Sequence, residues 1–255
     1  MSTASVSTAR LTLVHAKYSL IETTRIPIAL IGTVVFPTLS LLFFVVPQQA
    51  VAGNAEYATQ AVISMSVFSV MVGSLFSFGL GIAENREKAW EPYLRTLPAP
   101  GFSRLLAHIL STGFLALVGL VPLLVVGALL TAAEASVGRI LLGLIAVAVS
   151  ALPFMLAGIC IGYALPMKAA IAVVQIVFFA LGFGGGLFLP PSMFPAWLNA
   201  VSEFLPSRHA RDFVIWVVQG GELTPLTVVG ILGWTVVLLT LALVLFRRDE
   251  GRRYR

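Results

Sequence analysis

The sequence predicts an all-α integral membrane fold with six membrane-spanning helices, and three observations predict it. Of the 255 residues, 58 % are hydrophobic and only 11 % are charged, against roughly 25 % charged in a soluble domain. With a mean hydropathy of +0.98, most of the apolar surface has to face lipid. Six stretches, 26–46, 61–83, 109–131, 140–163, 169–189 and 226–246, contain no charged residue. At about 1.5 Å per residue, each is long enough for a hydrocarbon core of ~30 Å. The third observation is charge asymmetry. With those spans, 13 of the 16 Lys and Arg fall on one side and only Arg139, Arg208 and Arg211 on the other. Positive charge stays on the cytoplasmic side, so both termini and the 84–108 link are expected there, in a cell (inner or plasma) membrane.

The elements follow in chain order. Residues 1–25 form a cytoplasmic arm in which 11–24 reads as an amphipathic helix. Leu11, Leu13, Val14, Tyr18, Leu20 and Ile21 fall in one half, and Thr12, His15, Ser19, Glu22 and Thr23 in the other. Such a helix lies in the inner-leaflet interface; the alternative is a soft tail with chance periodicity. In the second span Ser69, Gly73, Ser77 and Gly81 recur every four residues, and Gly158 and Gly162 repeat the pattern in the fourth. Both read as grooves for close helix packing. Pro27, Pro37, Pro122 and Pro153 are candidate kinks. Cys160, the single cysteine, excludes an intramolecular disulfide and reads as a small packing residue.

The link 84–108 is the densest cluster of charge in the chain's interior. Glu84, Arg86, Glu87 and Lys88 precede Trp90, Tyr93, Leu94 and Arg95, and Pro98 and Pro100 close the element. A helix over 85–97 would put Trp90, Tyr93, Leu94 and Leu97 on one side. A charge-rimmed aromatic face suits a protein docking surface, and Trp and Tyr equally suit a headgroup anchor. Between spans five and six, 190–225 holds two short amphipathic pieces, 196–204 and 208–218, too short to cross and expected as re-entrant or interfacial helices. Arg208, Arg211 and Asp212 read there as headgroup or inter-helix contacts. A basic tail, 247–255, ends the chain.

Several function classes are disfavoured. His15, His108 and His209 fall at or outside the span borders, and Gln175 is the one strongly polar side chain deep in a span. Ion coupling therefore lacks buried charge, and a metal or serine hydrolase lacks its constellation. No phosphate-binding GxxxxGK[ST] loop is present. The net charge of +5 sits at membrane borders and forms no nucleic-acid stripe. No catalytic or metal site is expected, and the energy for uphill transport would come from another polypeptide.

REKAWEPYLRTLPAP (86–100) resembles the Arg-Glu-Lys-Gly-Thr-Leu-x-x-Leu-Arg-x-Thr-Pro-x-Pro stretch of ABC-2-type permeases, the membrane subunits of ABC exporters such as the daunorubicin-resistance group. Arg86, Glu87, Lys88, Leu94, Arg95, Pro98 and Pro100 are in register. The family's Gly-Thr is Ala89-Trp90 here, and its Thr before the proline is Leu97. GGGLFLPPSMFPAWLNAVSEFLPSRHARDFVIWVVQGG (184–221) is similar to the family's fifth-span exit through Phe188, Pro190, Phe194, Pro195, Trp197, Leu198, Leu205 and Pro206.

The resemblance covers essentially the whole chain as one ABC-2 transmembrane domain. It implies a cytoplasmic coupling helix between spans two and three, whose Glu84, Arg86, Glu87, Lys88, Trp90, Tyr93, Leu94 and Arg95 face an ABC ATPase subunit. It further implies a homodimer, or a heterodimer with a second permease, with ATP and Mg bound by the ATPase and no cofactor on this chain. Alternating access would run beside Ser69, Ser77, Gln175, Phe179 and Phe183, under an outer gate of Phe188, Pro190, Phe194, Trp197 and Pro206. The expected function is export of a hydrophobic or amphipathic small molecule, a drug, antibiotic or lipid. The alternatives are a lipid-linked saccharide or glycolipid, which an aromatic-rich pathway would favour, and a non-transporting scaffold or sensor.

Overall fold

The computed structural model describes residues 8–25, 35–88 and 101–251. They form eleven α-helices: α1 (Thr8–Thr24), α2 (Phe36–Phe44), α3 (Gln49–Ala52), α4 (Ala55–Glu87), α5 (Gly101–Leu130), α6 (Val137–Ser150), α7 (Leu152–Ala164), α8 (Met167–Gly184), α9 (Ala196–Ser202), α10 (Pro206–Gln219) and α11 (Pro225–Gly251), with a 3-10 turn at Pro191–Met193. Five helical segments are long and apolar enough to cross a membrane: Ala55–Glu87, Leu106–Leu130, Val137–Ala164, Met167–Gly184 and Pro225–Asp249. The chain is a multi-pass membrane protein. Six spans are therefore not all confirmed: of the expected span 26–46, residues 26–34 lie outside the described residues, and α2 alone is too short to cross.

α4 is the axle of the bundle. Its most apolar window is 83 % buried, against 11–39 % for the other four spans. It packs chiefly against α7, then α8 and α5, with α2 and α10 filling in. α4 starts six residues before the expected span because Asn54 caps it: Oδ1 accepts from the amides of Glu56 (3.0 Å) and Tyr57 (3.1 Å). Gly158 and Gly162 do serve close packing. A Cβ on Gly158 would lie 3.0 Å from the Ser74 carbonyl oxygen, and one on Gly162 would lie 2.9 Å from that of Phe78. Their partner is the Ser74–Gly79 face of α4, however, while the predicted Ser69/Gly73/Ser77/Gly81 stripe turns Ser77 and Gly81 toward His108 of α5.

The prolines divide. Pro153 accompanies a break between α6 and α7 at Ala151, Pro122 is carried inside α5, and Pro37 opens α2; Pro27 lies outside the described residues. The fifth span stops at Gly184, short of residue 189, because Gly186 takes a left-handed φ of +77° and turns the chain back. Leu187 is buried after that turn.

The arm is helical as expected and its large apolar side chains stay outward, but the opposite face packs against α5. α1 lies along α5, burying Thr12 and Ala16, while Leu13 (65 % exposed), Val14 and Tyr18 point away from the protein. The first turns of α5 answer with the small buried residues Ser103, Ala107 and Ser111, and Ser19 and Ser111 are hydrogen-bonded at 3.0 Å. Small residues here let two helices approach closely, which leaves the large apolar side chains free for lipid.

Candidate functional site

Three regions hold the residues singled out in the sequence. The first is the end of α4, where α1 and the ends of α7 and α11 also gather (the basal end). Asn85–Glu87, expected to open a separate coupling helix, instead continue α4, and Lys88 is extended. Trp90, Tyr93, Leu94 and Arg95 lie outside the described residues. Glu84 and Lys88 pair along the helix at 3.3 Å, and the Lys88 ammonium also donates to Asn85 Oδ1 at 2.9 Å.

Arg86 and Glu87, expected on a docking face, make contacts within the chain. The Arg86 guanidinium donates to Asp249 of α11 through Nε (3.1 Å) and Nη2 (3.0 Å), and through Nη1 to the carbonyls of Gly162 (2.9 Å) and Leu165 (3.3 Å). Asp249 is only 8 % exposed and Arg86 26 %. The arginine thus satisfies last-turn carbonyls of α7, which have no donor of their own. Glu87 Oε1 accepts the Met167 amide at 2.8 Å, a negative charge at the N-terminus of α8. Two consecutive residues at the mouth of the 89–100 link therefore tie α4 to α7, α8 and α11.

The second group is the aromatic flank formed by α2, α4 and α8. Phe68 meets Phe188 (4.5 Å between ring centroids), Phe178 (5.5 Å) and Phe36 (5.8 Å). Phe188 meets Phe183 (4.8 Å) and Phe44 (5.9 Å), and Phe179 lies 4.5 Å from Phe178. Aromatic pairs at such spacings add about 0.5–1.5 kcal/mol each beyond burial. Phe179 (55 %) and Phe183 (52 %) are exposed on the outward side of α8, together with Ile176 and Gln175. The two serines placed beside them in the expected pathway are elsewhere. Ser69 is buried within the bundle. Ser77 bonds Thr112 Oγ1 (3.1 Å) and His108 Nε2 (3.2 Å), because α5 begins earlier than the expected span and brings His108 alongside α4. His108 is the third residue of the segment Leu106–Leu130, at the border of the span as expected, and it additionally contacts α4.

The third group is the hairpin of α9 and α10 at the opposite, distal end. α10 enters the bundle: the Ser207 hydroxyl donates to the Leu181 carbonyl (2.8 Å), and Arg211 Nε donates to Ser64 Oγ (3.0 Å), nine residues into α4. Arg211 is buried, which pushes its pKa below the usual arginine value, and Asp212 at 3.0 Å opposes that shift. Arg208 pairs with Asp212 within α10 at 2.7 Å and donates through Nη1 to Asn199 Oδ1 (3.3 Å) and Ser202 Oγ (3.1 Å) of α9. Both arginines therefore serve as inter-helix contacts. Of the expected gate residues, Phe188 joins the aromatic flank, Pro206 is buried at the start of α10, and Pro190 and Trp197 (69 % exposed) face outward, with Phe194 half-buried. Trp234 of α11 donates to the Phe204 carbonyl at 2.8 Å, holding the end of the hairpin.

His209 is buried with its ring against Gly230 of α11. Burial lowers its pKa below the ordinary 6.5, with Asp212 raising it and Arg208 lowering it. On acidification the unfolded chain takes up this proton first, so the contribution to stability is level above about pH 6.5 and falls below it. The melting temperature of the wild type should drop over that acid range more steeply than that of His209→Asn. Parallel profiles for the two proteins would contradict the assignment.

Comparison with known proteins agrees with this architecture. The family model described as ABC-2 type transporter matches residues 10–218, from α1 almost to the end of α10. A relative from Bacillus subtilis (strain 168), named "Putative transport permease YvfS", is 24 % identical over 206 residues, which cover 81 % of this chain and 82 % of that protein. With a buried axle helix, a charged link at its basal end and a hairpin folded into its distal end, the chain belongs to the ABC-2 type transporter family.

Proposed function

We propose that this permease subunit is half of an ATP-driven exporter of hydrophobic or amphipathic small molecules, working as a dimer in the cell membrane with both termini in the cytoplasm. ABC-2 permeases work with ATP-binding subunits. In this reading the partner subunit binds ATP and Mg, and the 89–100 link carries its contact face. The observation that carries the dimer and the pathway is the outward side of α8, where Gln175 stands exposed in mid-span beside Ile176, Phe179 and Phe183. A carboxamide is costly against hydrocarbon without partners. A second permease or a passing cargo would supply them.

The flank also favours one alternative, since an aromatic-rich pathway is the feature expected of a saccharide-lipid exporter. Its rings are phenylalanines, however, and Gln175 is the polar group in the middle of the exposed side of α8. A sugar needs several hydrogen bonds, so the apolar cargo is preferred.

Two measurements test the reading. With Cys160 replaced by serine, Phe179→Cys should give crosslinked dimers in native membranes, and a chain that stays monomeric would remove the α8 interface. Trp90→Ala should weaken co-purification of the ATPase roughly thirtyfold, corresponding to about 2 kcal/mol for a hot-spot aromatic. Undiminished co-purification and ATPase activity would reduce the aromatic link to a headgroup anchor.

A further inference from the structure

The distal end holds a cavity away from the α8 flank. Its mouth is a bowl of about 810 Å³ between the first turns of α4, the loop joining α5 to α6, Arg139 and the end of α10. Beneath lies a recess of about 120 Å³ walled mostly by aliphatic side chains of α4, α5, α6 and α10, Leu120, Leu124 and Val147 among them. Thr59, Glu134, Ala135 and Val218 line both, so the recess opens into the bowl. At roughly 10–15 Å³ for each water-sized group, it accepts a length of one alkyl chain and has no room for two.

The mouth carries a definite charge pattern. Glu56 and Glu134 both line it and are exposed. Neither has an ion-pair partner among the described residues, and Glu56 Oε1 only accepts a long 3.5 Å bond from Gln60. Their backbones are pinned: the Glu134 amide donates to Thr59 Oγ1 (3.1 Å), and Gln219 Nε2 donates to the Glu56 carbonyl (3.0 Å). The cation of the bowl, Arg139, donates through Nη1 to the Val218 carbonyl at 2.8 Å. Two carboxylates against one guanidinium leave the mouth net negative above an apolar hole.

We infer that this cavity binds a single-chain amphiphile with an ammonium head, the head between Glu56 and Glu134 and the chain in the recess. Such a molecule could reach it from the bilayer as an amine-headed lysolipid, or from solution as a free cationic amphiphile. Neither ATPase docking nor the dimer enters this inference.

The test uses the full chain in phosphatidylcholine nanodiscs, without the ATPase. Equilibrium binding of radiolabelled dodecyltrimethylammonium is measured against dodecyl sulfate, with lysophosphatidylethanolamine incorporated in the disc in a parallel arm. Saturable binding of either ammonium probe with dodecyl sulfate excluded is expected, and a response to the lysolipid alone assigns the source to the membrane. Glu56→Gln with Glu134→Gln should weaken binding roughly tenfold for each carboxylate, and Ala128→Phe, at an exposed position on the recess wall, should abolish it. Equal affinity for the sulfate and ammonium probes in the wild type would overturn the inference whatever the variants do. So would unchanged binding in either variant. Binding is read on this chain alone, so its failure leaves the transport reading intact, and the reverse also holds.

Discussion

An Arg86→Ala protein is expected to lose roughly 3 kcal/mol of stability, at the low end of the range for breaking a buried ion pair because the arginine is a quarter exposed. The substitution takes the guanidinium away from Asp249 and withdraws the donor from the Gly162 and Leu165 carbonyls. Asp249→Asn in the same chain should restore part of the loss, since a neutral amide tolerates its 8 % exposure better than a carboxylate. A double-mutant cycle on the melting temperature of the purified protein measures the pair term directly. Additive losses would mean that the two residues do not interact. Function gives a second reading. If the ATPase partner pushes on the 89–100 link, Arg86 and Glu87 deliver that push to α7, α8 and α11. Cargo-stimulated ATP hydrolysis should then uncouple even where the ATPase still binds.

A comparable loss is expected from Gly162→Leu. A Cβ there would stand 2.8 Å from Ile82 Cβ, 2.9 Å from the Phe78 carbonyl and 3.0 Å from that of Gly79. Two of these neighbours are backbone oxygens of α4 and cannot rotate away. α4 and α7 must separate, at about 3 kcal/mol for overpacking, and in lipid no water-driven burial compensates for lost packing. Gly81→Leu is the control, because its added carbon meets only the His108 ring at 3.8 Å. Accumulation in the membrane and the melting temperature should fall for Gly162→Leu and much less for Gly81→Leu. Equal behaviour would show that the α4–α7 contact is looser than the geometry implies.

Much of the fold was legible because hydropathy acts locally. Every span from the second onward corresponds to an apolar run, and the short pieces before the last span begin at prolines, at Ala196 after Pro195 and at Pro206 itself. The small-residue pattern of Gly158 and Gly162 was legible for the same reason: spacing along one helix defines a groove. Which surface fills it depends on the rotation of a different helix: Gly158 and Gly162 meet the Ser74–Gly79 face of α4, while Ser77 and Gly81 of the other stripe turn toward α5. The contact of Arg86 was not legible either. A charged residue beside Trp90 suits docking in sequence, but Asp249 lies 163 positions away. His108 was legible as a border residue, but its contact with Ser77 depends on the early start of α5 and had no local signal. The cavity with Glu56 and Glu134 draws on four helices and left no local signal.

The burial of α4 bears on how the chain is made. Its neighbours α7, α8 and α10 are translated later, so a nascent α4 enters the bilayer before the surfaces that enclose it exist. It carries hydroxyls that would suffer there, yet Thr59, Ser64 and Ser66 each donate to the carbonyl four residues back, at 2.7, 2.8 and 2.8 Å. The helix brings its own hydrogen-bond partners and can wait in lipid during biosynthesis until its companions arrive.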